Sequence, residues 1–211
     1  MGYEVYRPEL QAAHDFVLRV ELVRRNYDSA EKVVEAILQH LGLKPTRTEL
    51  MSLASLFVET HRVSLLDDAA RAVPLLSKSY KVAVLSSLPA FLIRPVLEPV
   101  KHHVGAIVTP YEAKATLPNP KVFRVAAQAL GLKARDVTVV SAECDDGLAV
   151  PKSLGFRTAF VRHESVAGCA YATISVPTLE DLEAALKQPG KLGEPATPQV
   201  PAVPASGAVG K

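Results

Sequence analysis

Cysteine is nearly absent from this 211-residue chain: Cys144 and Cys169 are the only two. They show no paired metal-ligand spacing, which argues against a cysteine zinc site and against a disulfide framework, and predicts reduced thiols in a cytoplasmic protein. Cys144 reads as a small buried residue, since neither an adjacent histidine nor a clear helix N-terminal position activates it as a nucleophile. Uninterrupted apolar stretches are also lacking. Residues 82–100 are broken by Pro89, Arg94, Pro95 and Glu98, which excludes a membrane-spanning helix there. The opening "MGYEVYRPEL" has no apolar core segment of the kind a secretory signal needs, and Tyr6 stands where a myristoylation site requires Ser or Thr. The net charge of +2 arises from interspersed Lys, Arg, Asp and Glu. No basic stripe is present to follow a phosphate backbone, so nucleic acid is not an expected partner. The histidines His14, His40 and His61 share no metal spacing, and His102 and His103 read as a solvated helix end.

What the chain does contain is 48% hydrophobic and 22% charged residues, enough apolar material for one sizeable core. The first third has helical periodicity. Leu10, Ala13, Val17, Val20 and Val23 mark one helix, and Asp28 with Glu31 predicts the cap of a second that carries Val33, Val34, Ile37, Leu38 and Leu41 and stops at Gly42. Thr46 with Glu49, and Ser64 with Asp67, predict two further helix starts. Residues 1–78 are therefore expected to form a small antiparallel helical module.

At Tyr80 the pattern changes. "YKVAVLSS", "VGAIVTP", "DVTVVSA" and "RTAFV" are short β-branched runs of the sort buried on both faces of a parallel sheet. Amphipathic stretches separate them, notably residues 120–130, and a last run, "TISV", precedes a helix capped by Thr178 with Asp181. Residues 79–187 are thus expected to form an α/β, Rossmann-like core with a parallel sheet. Residues 188–211 are rich in Pro, Gly and Ala without periodicity and are expected to form a disordered tail.

Ligands of open α/β sheets bind beyond the carboxyl ends of the strands. That rule selects Ser86 and Ser87, the segment Thr109 to Glu112, and the loop Ser141 to Asp146. Serine hydroxyls beside a helix start suit a small anion, and adjacent acids such as Asp145 and Asp146 suit magnesium or a basic group. The structural alternatives stay open: Ser86 and Ser87 as turn residues, and the aspartates as acids at a helix N-terminus.

The ordered series "HLGL", "YKVAVLSS", "LPNPKVFRVAAQALGL", "VVSAECDD" and "GFRTAFVRH" resembles the haloacid dehalogenase superfamily, and within it the 2-haloacid dehalogenase branch. The likeness runs from about Glu9 to Leu186, with the helical module in the place of the family's cap. It implies that Ser86 binds a phosphate or substrate carboxylate, with Ser87 where dehalogenases carry Asn. Asp146 falls on the acid of the fourth motif, and Asp145, Ser141 and Glu143 line the same loop. Two departures matter. Leu117 occupies the position of the family's lysine, with Lys114 and Lys121 only nearby. The opening strand that ends in the nucleophilic aspartate, which forms a covalent intermediate, has no counterpart, because Met1 falls after that point.

That strand is central in the family sheet, so without it backbone groups at roughly 1 to 3 kcal/mol each would face a gap. Residues 2–7 entering the gap, a rearranged sheet, a strand donated by another chain as in a homodimer, or an N-terminal piece outside this sequence are the alternatives. The expectation is a degenerate haloacid-dehalogenase-like domain with a missing or replaced central strand, noncatalytic, that binds a small anionic ligand or a protein partner. The alternative is a 2-haloacid dehalogenase or small-molecule phosphatase, with magnesium in the latter case, whose nucleophile strand lies outside these residues.

Overall fold

The computed structural model describes residues 6–163 and 168–187. Its first helix, α1 (Arg7–Phe16), begins with Pro8 in the first turn, where a missing N–H costs nothing. A π-helical turn at Val17–Glu21 joins it to α2 (Leu22–Arg24). The next helix, α3 (Ala30–His40), is capped by Ser29, whose hydroxyl accepts from the Lys32 N–H. Asp28, expected as the cap, instead pairs with the Lys32 ammonium one turn on, at 2.7 Å. Gly42, just past the helix, adopts φ 72°, a left-handed value that suits glycine.

Helix α4 (Arg47–Thr60) starts at the expected capping box of Thr46 and Glu49. Helix α5 (Asp67–Leu76) starts later than Ser64 predicts. Its cap position is Leu66, with no side-chain bond, and Asp67 and Asp68 in its first turn supply the negative charge a helix start favours.

The second part alternates strands and helices in the order β1 (Ala83–Leu85), α6 (Ala90–Val96), β2 (Ala106–Val108), α7 (Pro110–Ala113), α8 (Pro120–Ala129), β3 (Thr138–Ser141), α9 (Val150–Ser153), β4 (Arg157–Val161), β5 (Ile174–Val176) and α10 (Leu182–Lys187). All strand pairs are parallel, as the continuous apolar runs imply. They do not form one layer. Strands β1 and β2 make a two-stranded sheet, and β3, β4 and β5 make a three-stranded one. Among the described residues no strand lies between β1 and β3.

Among the described residues five apolar clusters hold these parts together, and three of them frame the site. One joins α1, α3 and α4 through Ala13, Val17, Val33, Ile37 and Phe57, and takes in Leu92 of α6. A second packs α5, through Ala72 and Leu76, on Ala159, Val161, Ile174 and Val176 of the three-stranded sheet. A third, centred on Phe123 of α8, gathers Leu85, Leu117, Val139 and Phe156. Helix α8 thereby touches both half-sheets, because its amphipathic face turns Val122, Phe123, Ala126 and Ala127 inward. The segments at residues 1–5 and 188–211, which bear on the expected gap strand and tail, lie outside the described residues.

Candidate functional site

A cleft of about 920 Å³ lies between the half-sheets, lined by Ala83 and Leu85 on one side and Thr138 and Val140 on the other. Among the described residues no strand occupies it. Tyr6 and Arg7, at the foot of α1, are exposed and do not fill it.

The carboxyl end of the cleft is bordered by the loops the sequence singled out. Ser87 lines it, while Ser86 turns its hydroxyl to accept the Leu88 N–H at 2.9 Å. In the same way Ser141, on the cleft wall, accepts the Glu143 N–H at 3.0 Å. Each hydroxyl is thus a turn-former, yet keeps its own proton to donate. Glu143 and Asp146 line the cleft, whereas Asp145, next to Asp146, does not. Both aspartates are exposed and sit in the first turn of a π-helical segment, Asp145–Ala149, that runs into α9. Pro151 then falls in the first turn of α9, which explains how the chain admits it.

Gly147 is confined by close approach. A Cβ there would lie 2.1 Å from the Ser141 Oγ and 2.6 Å from its Cβ. Gly147→Ala is expected to cost about 1 to 3 kcal/mol and to break the Ser141–Glu143 turn. Urea unfolding checks the first effect and the Glu143 amide shift in NMR the second.

Two expectations need correction. Cys144 and Cys169 are not separate thiols: they form a disulfide, with Cα atoms 5.4 Å apart across a sequence separation of 25. Cys144 is accordingly half-buried rather than a buried small residue. The bridge ties the loop after β3 to the segment before β5, a pairing that only the adjacency of β3, β4 and β5 creates. The segment Thr109 to Glu112 is also occupied internally. The Thr109 hydroxyl and N–H both donate to Glu112, capping α7.

The candidate lysines are diverted as well. Lys114, in the left-handed region at φ 51°, holds its ammonium 3.4 Å from the centre of the Tyr111 ring. Lys121 is exposed on α8. Leu117 lines the cleft and packs with Phe123 and Val139, so an apolar side chain occupies the place where the resemblance expects a cation.

The sequence reading missed Asp15 and Arg19, one turn apart on the helix that α1 begins, which reach the cleft from the helical part. Their only sequence signal is that i,i+4 spacing. A hydrogen bond from the His14 ring, assisted by Gln11 and Arg19, holds the Asp15 carboxyl below the usual carboxylate range. His14 also meets His61, with their Nε2 atoms 3.1 Å apart, although 47 residues separate them.

Asp15, Glu143 and Asp146 with Arg19 give this end an excess of acid. Among the described residues no three His, Cys, Asp or Glu side chains converge on one point. Such a donor set does not fit magnesium, which wants oxygen ligands in near-octahedral array. No helix among the described residues is long and apolar enough to cross a membrane.

No protein-family model matches the chain, and no curated protein matches it. Solved structures do. A 2-haloacid dehalogenase from Pseudomonas syringae pv. Tomato DC3000 superposes with a TM-score of 0.62 at 15% identity, covering 88% of this chain and 82% of that one. The L-2-haloacid dehalogenase from Xanthobacter autotrophicus, with chloropropionic acid covalently bound, gives 0.58 at 19% identity, covering 86% and 83%. The fold is that of the haloacid dehalogenase superfamily. A haloacid dehalogenase (HAD) phosphatase from Thermococcus onnurineus extends the likeness beyond dehalogenases, with a TM-score of 0.56 at 19% identity over 79% of this chain and 77% of that one. Within the haloacid dehalogenase fold, the cleft of this chain lies between its two half-sheets, and the serine and aspartate loops lie at the carboxyl ends of β1 and β3.

Proposed function

We propose that the described chain is a noncatalytic binding module on the haloacid dehalogenase fold, and that its cleft holds a ligand or a protein segment. One observation carries this reading. The carboxyl end of the cleft offers hydroxyls and acids, but its wall has Leu117 where a lysine would balance a reacting anion. Covalent catalysis of the dehalogenase type needs a carboxylate aimed at the substrate carbon with a cation to offset the charge. Asp15, the acid from the helical part, is instead engaged by His14 and Gln11.

The second reading is a haloacid-dehalogenase-type hydrolase, acting on a 2-haloacid or a phosphate ester, completed by a strand supplied from elsewhere. The open space between β1 and β3 favours it. Purified chain is expected to show no turnover of p-nitrophenyl phosphate with magnesium, or of L-2-chloropropionate, above the rate of an Asp146→Ala control. Turnover that disappears in that variant overturns the noncatalytic reading.

A further inference from the structure

His14 and His61 come from different helices and bring one ring nitrogen each to a common point. His14 lies in the last turn of α1, and His61 is the C-cap residue of α4. Their Nε2 atoms are 3.1 Å apart. Packing holds both rings in place. The His61 ring stacks on that of the buried Phe57, with centres 4.1 Å apart, and Ala13 and Val17, on either side of His14 in sequence, are buried in the same apolar cluster as Phe57.

The other nitrogen of each ring decides where the hydrogens are. The His61 Nδ1 faces the Phe57 carbonyl at 2.9 Å, and a carbonyl oxygen only accepts, so this nitrogen carries a hydrogen. The Thr60 hydroxyl, 3.2 Å from the same nitrogen, donates to the Phe57 carbonyl at 3.0 Å and so turns an oxygen lone pair to the ring as well. The His14 Nδ1 faces the Asp15 carboxylate at 3.3 Å, which assigns it as a donor too. In the neutral rings both Nε2 atoms then present lone pairs, and at their separation those lone pairs meet. Moving either hydrogen to Nε2 relieves that contact only by setting a nitrogen lone pair against the Phe57 or Asp15 oxygen. The pair is therefore built to hold something positive against both Nε2 atoms.

Going beyond the binding-module reading and independent of it, we propose that His14 and His61 form a two-histidine site for a late first-row divalent metal ion such as zinc. The ion ties α1 to the end of α4, and water completes its coordination.

The geometry fits such an ion. Metal–nitrogen bonds of about 2.0 to 2.1 Å set neighbouring nitrogens of one coordination shell about 2.8 to 3.4 Å apart, from right-angled to tetrahedral arrangements. The 3.1 Å between the two Nε2 atoms falls inside that interval. Ligating histidines characteristically donate their second N–H to a main-chain carbonyl or to a carboxylate, and His61 does the first while His14 does the second. The donors are nitrogen alone, because Cys144 and Cys169 are joined in a disulfide and, among the described residues, no third His, Cys, Asp or Glu completes a ligand set with the pair. Imidazole donors without carboxylates select zinc, copper or nickel over magnesium and calcium. Both rings are half-buried, which leaves a side open to water ligands. His61 also stands at the C-terminus of a 14-residue helix, where the helix dipole favours positive charge. Asp15, bonded to the His14 ring, lines the cleft, so an ion on His14 also steadies an acid at the cleft wall.

The test titrates the full, tag-free chain with zinc chloride at neutral pH by calorimetry, with magnesium chloride as control. One zinc ion per chain is expected to bind at this site, and magnesium is expected not to bind there. His14→Gln and His61→Gln are each expected to weaken zinc binding at least 10- to 100-fold, the loss that follows even from removing an outer-shell partner. His102→Gln is expected to leave it unchanged. At a hundredfold excess of zinc over its Kd, the midpoint of thermal unfolding is expected to rise by roughly 5 to 10 °C. Nitrogen NMR of the unsubstituted chain gives a readout that no variant's folding can spoil: zinc is expected to shift the Nε2 resonances of His14 and His61 and to leave both Nδ1 atoms protonated. Zinc affinity unchanged in both glutamine variants, shifts confined to His40, His102, His103 or His163, or no zinc binding at all overturns the metal site. In the last case a proton shared between the two rings is the cation that the pair holds.

Discussion

Replacing Phe123 with alanine is expected to lower the midpoint of thermal unfolding by roughly 10 °C, corresponding to about 3 to 5 kcal/mol. The size follows from where the ring sits. Phe123 is 2% exposed and packs with Leu85 of β1, Val139 of β3 and Phe156, whose ring centre is 6.3 Å away. No backbone ladder joins β1 to β3, so the two half-sheets are coupled through side chains, and Phe123 contributes to both sides of that joint. An alanine leaves a void next to an existing cleft, where among the described residues no strand stands ready to collapse into it. Phe123→Leu, which keeps much of the volume, is expected to lose less than half as much. Circular dichroism melts of the two variants check this, and a loss under about 1 kcal/mol for Phe123→Ala would show that the half-sheets are held by something other than this ring.

Reduction of the Cys144–Cys169 disulfide is the second large effect. Cross-linking residues 25 apart in sequence removes loop-closure entropy from the unfolded chain worth about 3 kcal/mol. Melting with a phosphine reductant is therefore expected to fall by roughly 6 to 12 °C. Cys144→Ser should show the lowered midpoint without reductant and no further response to it. The same bridge holds the loop of Ser141, Glu143 and Asp146 against the segment that precedes β5. Its loss is therefore expected to speed amide exchange in that loop before it affects α3 or α4, which pack in a separate apolar cluster. Titration of two free thiols in unreduced protein would contradict the pairing outright.

Much of the fold could be read from residue order because its signals are local. The β-branched runs fall on the five strands, each trimmed at its ends, and the Thr46–Glu49 pair caps α4 as its spacing requires. Asp28 and Ser64 misled for an equally local reason. Several side chains near a helix start can cap, and the one chosen is set by which residue adopts extended backbone angles, as Ser29 does at φ −150° and ψ 161°.

The candidate site divides in the same way. Ser87, Ser141, Glu143 and Asp146 come to the cleft because strand ends always deliver their loops to one side of a parallel sheet. Asp15 and Arg19 reach it from a helix that no local pattern ties to the strands. The Cys144–Cys169 pairing, and the meeting of His14 with His61, depend on contacts between segments far apart in the chain.

By itself, then, the sequence determined the element order and the parallel character of the strands, since periodicity is a property of neighbouring residues. Only the tertiary structure decided that a cleft lies between the half-sheets, that Phe123 packs against both of them, and that two distant cysteines meet beside it. Those outcomes depend on how strands and helices are placed in space, which no single stretch of chain encodes.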